Sequence, residues 1–135
     1  MAIKRSIDTG IWNDNKVFKY FDMYDIIFWF HCLTNLKTNL CGVANISPEI
    51  ISFETRINNT DKINELINRF ENKYKMIKYN YQNEEMIILN WNKYNWTSST
   101  KVKTSLLKQI KEINTPEFVE IITKKIDETI WSEKK

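Results

Sequence analysis

Apolar residues between positions 22 and 74 recur every three or four places in three blocks, the spacing of helices that hide one face. The first block runs from Asp22 to Asn35. Ile26, Ile27, Phe30 and Leu33 mark a helix that is apolar nearly all round, and Asp22 can cap it. The second block opens at "SPEIISFET". Ser47 is a good N-cap there, and Pro48 suits the first helical position, where the N–H it lacks would have no partner. The third, "TDKINELINRFENKY", sets Ile63, Leu66, Ile67, Phe70 and Tyr74 on one face, with Asn59 or Thr60 as its cap. Only "RINN" separates the second block from the third, so the pair has the size of a helix-turn-helix.

Elsewhere the pattern changes. Residues 43–46, after the turn residue Gly42, read as a short strand, while "MIKYNY" and "EMIILNW" read as the two strands of a hairpin turning at Gln82 to Glu84. Leu89 and Trp91 are expected to finish the second of these strands and pack inward. Two more helices follow: Thr100 to Ile113, with Val102, Leu106, Ile110 and Ile113 inward, and Glu117 to Trp131, opened by Thr115 and Pro116. The expectation is an α+β fold, mostly helical: a winged helix-turn-helix with a β-hairpin wing and two additional C-terminal helices. Residues 1–135 form one domain in this reading, divided into an irregular N-terminal arm (1–21), a winged-helix core (22–96) and a C-terminal helical extension (97–135).

Composition supports a single domain: 135 residues, 42% hydrophobic, with two glycines and two prolines, leave no linker tract. The longest apolar run, around Ile26 to Phe30, falls far short of the roughly 20 residues that span a bilayer. "MAIKRSIDTG" has no apolar stretch of the kind a secretory signal needs. Cys32 and Cys41 then read as reduced thiols of a cytoplasmic protein without a membrane partner.

Charge changes the picture more than composition does. Net charge is only +3, but residues 72–111 hold eight lysines against Glu84 and Glu85, a net +6, and no acid occurs from Met86 to Lys111. Trp91, Tyr94 and Trp96 lie in the same stretch. Lysines that neutralise phosphates, interleaved with aromatic faces that stack on bases, suit duplex or single-stranded nucleic acid. A solvated lysine-rich surface beside core aromatics fits the same composition.

No catalytic constellation emerges, and a non-enzymatic role without cofactor is expected. His31, Cys32 and Cys41 lack zinc-site spacing and a fourth ligand, so no metal is expected. Neither glycine belongs to a phosphate-cradling motif. Asp22 and Asp25 are accounted for by helix capping, and Glu84 and Glu85 by a solvated turn. In the arm, Lys4 and Arg5 suit a minor groove, whereas Ile7, Ile11 and Trp12 suit docking onto the chain's own domain or a second subunit, the favoured reading.

Four stretches together resemble the N-terminal winged-helix domain of phage and prophage replication initiators, the DnaD-like replisome organisers: "RSIDTGIWNDNKV" (5–17), "LTNLKTNLCGV" (33–43), "ISPEIISFET" (46–55) and "ILNWNKYN" (88–95). "KVKTSLLKQIKEINTPEFVEII" is similar to the continuation found in such proteins. The resemblance implies a role in DNA replication: DNA binding at an origin, self-association as a homo-oligomer, and contact with host helicase-loading proteins in a bacterial cell. Family members commonly continue into a C-terminal region carrying part of the DNA and helicase binding. This chain ends at Lys135, and it reads as an isolated N-terminal domain to which those activities are not assigned.

Two surfaces compete for the DNA. The outward face of the third helix carries Asp61, Glu65, Asn68, Arg69 and Asn72. Asn68 and Arg69 can make bidentate contacts to adenine and guanine, but the two acids repel the backbone. The later helix turns Lys101, Lys108 and Lys111 outward with Lys103 at the flank. Aided by Lys93 and the wing lysines Lys75 and Lys78, it is the better phosphate-tracking candidate.

Overall fold

The computed structural model describes residues 5–132. Among them the fold is α+β and mostly helical, with a small antiparallel sheet. The arm is not irregular throughout. A 3-10 turn at Thr9–Asn13 leads into α1 (Asn15–Tyr20), started by the carboxylates of Asp8 and Asp14, which accept from the N–H groups of Gly10 and Lys16. These caps are readable in the sequence; the short elements behind them lack the apolar period that would have drawn attention to them.

Helix α2 (Met23–Thr34) opens with a reciprocal capping box. Asp22 accepts from the Asp25 N–H and Asp25 from the Asp22 N–H, so two otherwise orphaned donors are satisfied. Strand β1 (Val43–Asn45) precedes α3 (Pro48–Thr55), capped by Ser47 with Pro48 in its first turn. Helix α4 (Thr60–Asn68) is capped by Asn59 and continues as a π-helical turn over Arg69–Lys73 rather than as the expected uniform helix. Strands β2 (Ile77–Asn80) and β3 (Glu85–Ile88) form the hairpin. The second strand stops at Ile88, short of the expected end: Trp91 opens the short helix α5 (Trp91–Asn95) instead. Helix α6 (Thr100–Gln109) closes in a 3-10 turn at Ile110–Glu112, and α7 (Pro116–Glu128) ends before Trp131.

Strand order is β1-β3-β2, with Ala44 opposite Met86 and Tyr79 opposite Met86 on its other side. One core lies on the face shared by Ala44, Ile77, Met86 and Ile88, filled by Phe28, Ile51, Ile63 and Leu66 from α2, α3 and α4 and by Phe70 from the π-helical turn. The second lies on the opposite face, where Val43 and Ile87 meet Leu106, Phe118, Ile122 and Ile126 from α6 and α7. Central β3 is therefore covered on both sides, which is why "EMII" is buried at every position and shows no alternation. A parallel bridge between Ser99 and Ser132 ties the start of α6 to the end of the chain's described part.

Coverage of the second face corrects the reading of Glu85 as part of a solvated turn. Its side chain is buried, 2% exposed. One carboxylate oxygen accepts from the Asn114 N–H at 2.9 Å and the other from the Thr115 hydroxyl at 2.5 Å, just ahead of the N-terminus of α7, whose dipole favours negative charge. Gly42 has φ +85°, and a Cβ there would come within 2.6 Å of Trp91. Glycine is thus needed both for the turn and for the indole packed against it. Among the described residues no helix is long and apolar enough to cross a membrane.

Candidate nucleic-acid interface

The outward face of α4 is acidic and partly locked. Asp61, Glu65, Asn68 and Asn72 are exposed. Arg69 reaches back to α2, donating to Asp25 at 2.6 Å and to Asp22 at 3.4 Å, and along its own helix to Glu65 at 3.0 Å. Asp25 is itself buried, 1% exposed, and also accepts from the Tyr74 hydroxyl at 3.0 Å. Charge-assisted bonds of this kind are among the strongest available to a side chain. Burial works to raise the Asp22 carboxyl, but the Asp25 N–H and the Arg69 guanidinium outweigh it and leave it below its ordinary value. Burial, followed by the bond to Asp25, pushes Tyr74 up to about 12. Arg69 is placed to hold α4 against α2, and Asn68 remains the exposed base-reading candidate on this helix.

The outward face of α6 differs. Lys101 and Lys108 are exposed on the side away from the buried Leu106, Lys111 is exposed in the 3-10 turn that follows, and Lys103 is half-buried at the flank. Lys101 and Lys108 stand two turns apart, about 10 Å along a helix rising 1.5 Å per residue. Among the described residues, ion pairs involve Lys62, Arg69, Lys78 and His31, and none of the α6 lysines.

The remaining lysines do not act as one group. Lys93 is exposed on α5 and lies near Lys125 of α7, whose pKa is lowered by burial first and by the Lys93 charge second. Lys125, which donates to Asn92 at 3.0 Å, was not legible as a neighbour of this stretch because the contact is tertiary. Lys75 is exposed in a left-handed turn before β2, with φ 55°. Lys78 lies on the sheet face covered by α7 and donates to Glu117 at 2.8 Å, so the hairpin presents it to an acid of its own chain.

The aromatics of "LNWNKYNW" part company. Trp91 is core, 3% exposed; Tyr94 projects outward, 72% exposed; Trp96 donates to the Leu40 carbonyl at 2.7 Å and lies near Trp131. In the arm, Arg5 donates to the carbonyls of Asn35 and Thr38, and Trp12 packs near Phe30 with ring centres 5.6 Å apart. Lys4 lies outside the described residues. His31 pairs with Glu54 at 2.7 Å, while the buried Cys32 and Cys41 belong to the two different cores. No protein-family model, curated protein or solved structure matches the chain.

Proposed function

We propose that the chain is a DNA-binding, self-associating domain of the phage-type replication initiator kind, working without catalysis in the cytoplasm of a bacterial host. In this reading α2, α3 and α4 are the three helices of a winged helix-turn-helix, β2 and β3 its wing, and α6 and α7 the added extension. The sheet order β1-β3-β2 with the helix pair between β1 and β2 supports that assignment. The observation that carries DNA binding is the exposed row of Lys101 and Lys108 on α6 and Lys111 in the 3-10 turn that closes it, free of carboxylate partners among the described residues. Such a row tracks phosphates without reading sequence, since lysine acts on phosphate as a point charge.

Helicase-loading proteins of the host are the proposed protein partners, and exposed Met23, Ile27 and Phe53 on α2 and α3 supply apolar surface for self-association. A second reading, an interaction module without DNA affinity, is favoured by one observation: the α4 face keeps Asp61 and Glu65 outward and holds Arg69 in carboxylate bonds. A winged-helix transcriptional regulator would need that arginine for bases. Titration of duplex and single-stranded DNA at low salt separates these readings. Binding of moderate strength with little sequence preference is expected. No binding to either form leaves the interaction module, and a strong preference abolished by Arg69→Ala leaves the regulator.

A further inference from the structure

Helix α5 turns Trp91 into the core, and successive residues on a helix step round its axis by about 100°. Asn92, Lys93 and Tyr94 therefore fan in order across its outward side, where Lys93 and Tyr94 are exposed. Helix α7 adds a further cation at one edge of this fan. Lys125 donates to the Asn92 side-chain oxygen at 3.0 Å, and the Trp96 and Trp131 ring centres lie 6.3 Å apart, so residues 92–96 run alongside 125–131. A line drawn across α5 meets Lys125, Lys93 and Tyr94 in turn.

Charge and shape narrow the ligand class. Among the described residues no carboxylate pairs with Lys93 or Lys125. An ammonium has three donors, and the bond to Asn92 leaves Lys125 two. Burial first and the Lys93 charge second lower the Lys125 pKa, with Glu128 acting the other way. Two like charges brought together, one of them half-buried, favour an oxyanion that neutralises both. The Tyr94 ring beside them, 72% exposed, takes no part in the core. An aromatic face next to phosphate-binding cations is the arrangement on which unpaired bases stack. The α6 row lacks such a ring, since Thr104 stands between Lys101 and Lys108. In a duplex each base is already covered by its neighbours in the stack, so the ring favours a single strand.

We propose that Lys125, Lys93 and Tyr94 form a site for single-stranded nucleic acid crossing α5, with the two lysines on backbone phosphates and the tyrosine ring against an unpaired base. The inference rests on the nucleic-acid reading of the chain but not on the α6 row, which tracks phosphates of either form. It brings in Lys125, which only the tertiary fold places beside Lys93.

The test titrates the full chain into a fluorescently labelled short oligothymidylate and, separately, a labelled duplex of the same length, following anisotropy at low salt. Tyr94→Ala is expected to weaken the oligothymidylate at least about fivefold, the low end of what one stacked base contributes, and the duplex by less than about twofold. Lys93→Gln combined with Lys125→Gln is expected to weaken the oligothymidylate about tenfold and to make its slope of log affinity against log salt shallower by about 1.4, at about 0.7 per phosphate on a single strand. Lys125→Arg keeps the charge and should stay within about threefold of the unaltered chain, which a role confined to holding α7 on α5 does not require of it. Oligothymidylate binding indifferent to both Tyr94→Ala and the lysine pair would overturn the proposal, and the α6 reading survives that result if Lys101→Glu with Lys108→Glu still weakens the duplex. Equal losses on strand and duplex in Tyr94→Ala would overturn the assignment to single strands. If the chain ignores the duplex but binds the oligothymidylate through Tyr94 and the two lysines, this site stands while the α6 reading falls; binding of neither form overturns both.

Discussion

Arg69 and Lys108 both stand on helix faces turned away from the core, yet their surroundings differ in kind. Arg69 on the α4 side meets Asp22, Asp25 and Glu65, whereas Lys108 on α6 has no carboxylate partner among the described residues. The difference shows that an outward helical position and a positive charge do not by themselves make a nucleic-acid contact. A cation committed to buried acids stabilises the fold, and withdrawing it would strand a charge; a solvated cation is available to a phosphate at little cost.

The largest expected effect separates these roles. Arg69→Ala leaves the buried Asp25 without its cation and should lower stability by about 3 kcal/mol, with DNA affinity unchanged within about twofold once the folded fraction is accounted for. Urea unfolding and a DNA titration on the same preparation check both halves. Glu85→Gln should cost about 2 kcal/mol by weakening the bonds that seat α7 on the sheet, again without altering DNA affinity. The mirror result is expected on α6. Lys101→Glu combined with Lys108→Glu should weaken DNA binding about tenfold while shifting stability by less than about 0.5 kcal/mol.

A smaller effect belongs to alkaline solution. Tyr74, raised to about 12 in the folded protein, contributes stability that is complete below its ordinary value of 10.0 and is lost as pH rises from there through the folded value. Thermal melts across this window should show an alkaline step that Tyr74→Phe removes. Smallest of all, Lys78→Ala should change stability by less than about 0.5 kcal/mol, because its pair with Glu117 is solvent-exposed.

Periodicity made the three helices from Asp22 to Tyr74 legible, along with their caps and the hairpin, because each hides a continuous apolar face and starts at a residue that can cap it. It also marked the outward lysines of α6. What it missed depends on contacts between distant segments. Glu85 reads as a turn acid until α7 is laid over the sheet, Trp91 reads as a strand end until Gly42 receives its indole, and Arg69 reads as a base contact until α2 brings Asp25 to it. Charge patterning reports which residues carry a cation, while the tertiary fold decides which cations are already neutralised. Lys78 illustrates the same limit, since Glu117 lies 39 residues away along the chain.

The salt dependence of duplex binding, measured in parallel for the unaltered chain, Arg69→Ala and the Lys101→Glu/Lys108→Glu pair, tests the assignment of phosphate contact to α6 most directly. Each phosphate neutralised contributes a slope of about −0.9 in log affinity against log salt, so three row lysines give about −3. The account predicts that slope for the unaltered chain and for Arg69→Ala, and a slope shallower by about 2 for the lysine pair. A slope unaffected by the two lysine reversals but reduced in Arg69→Ala would contradict it.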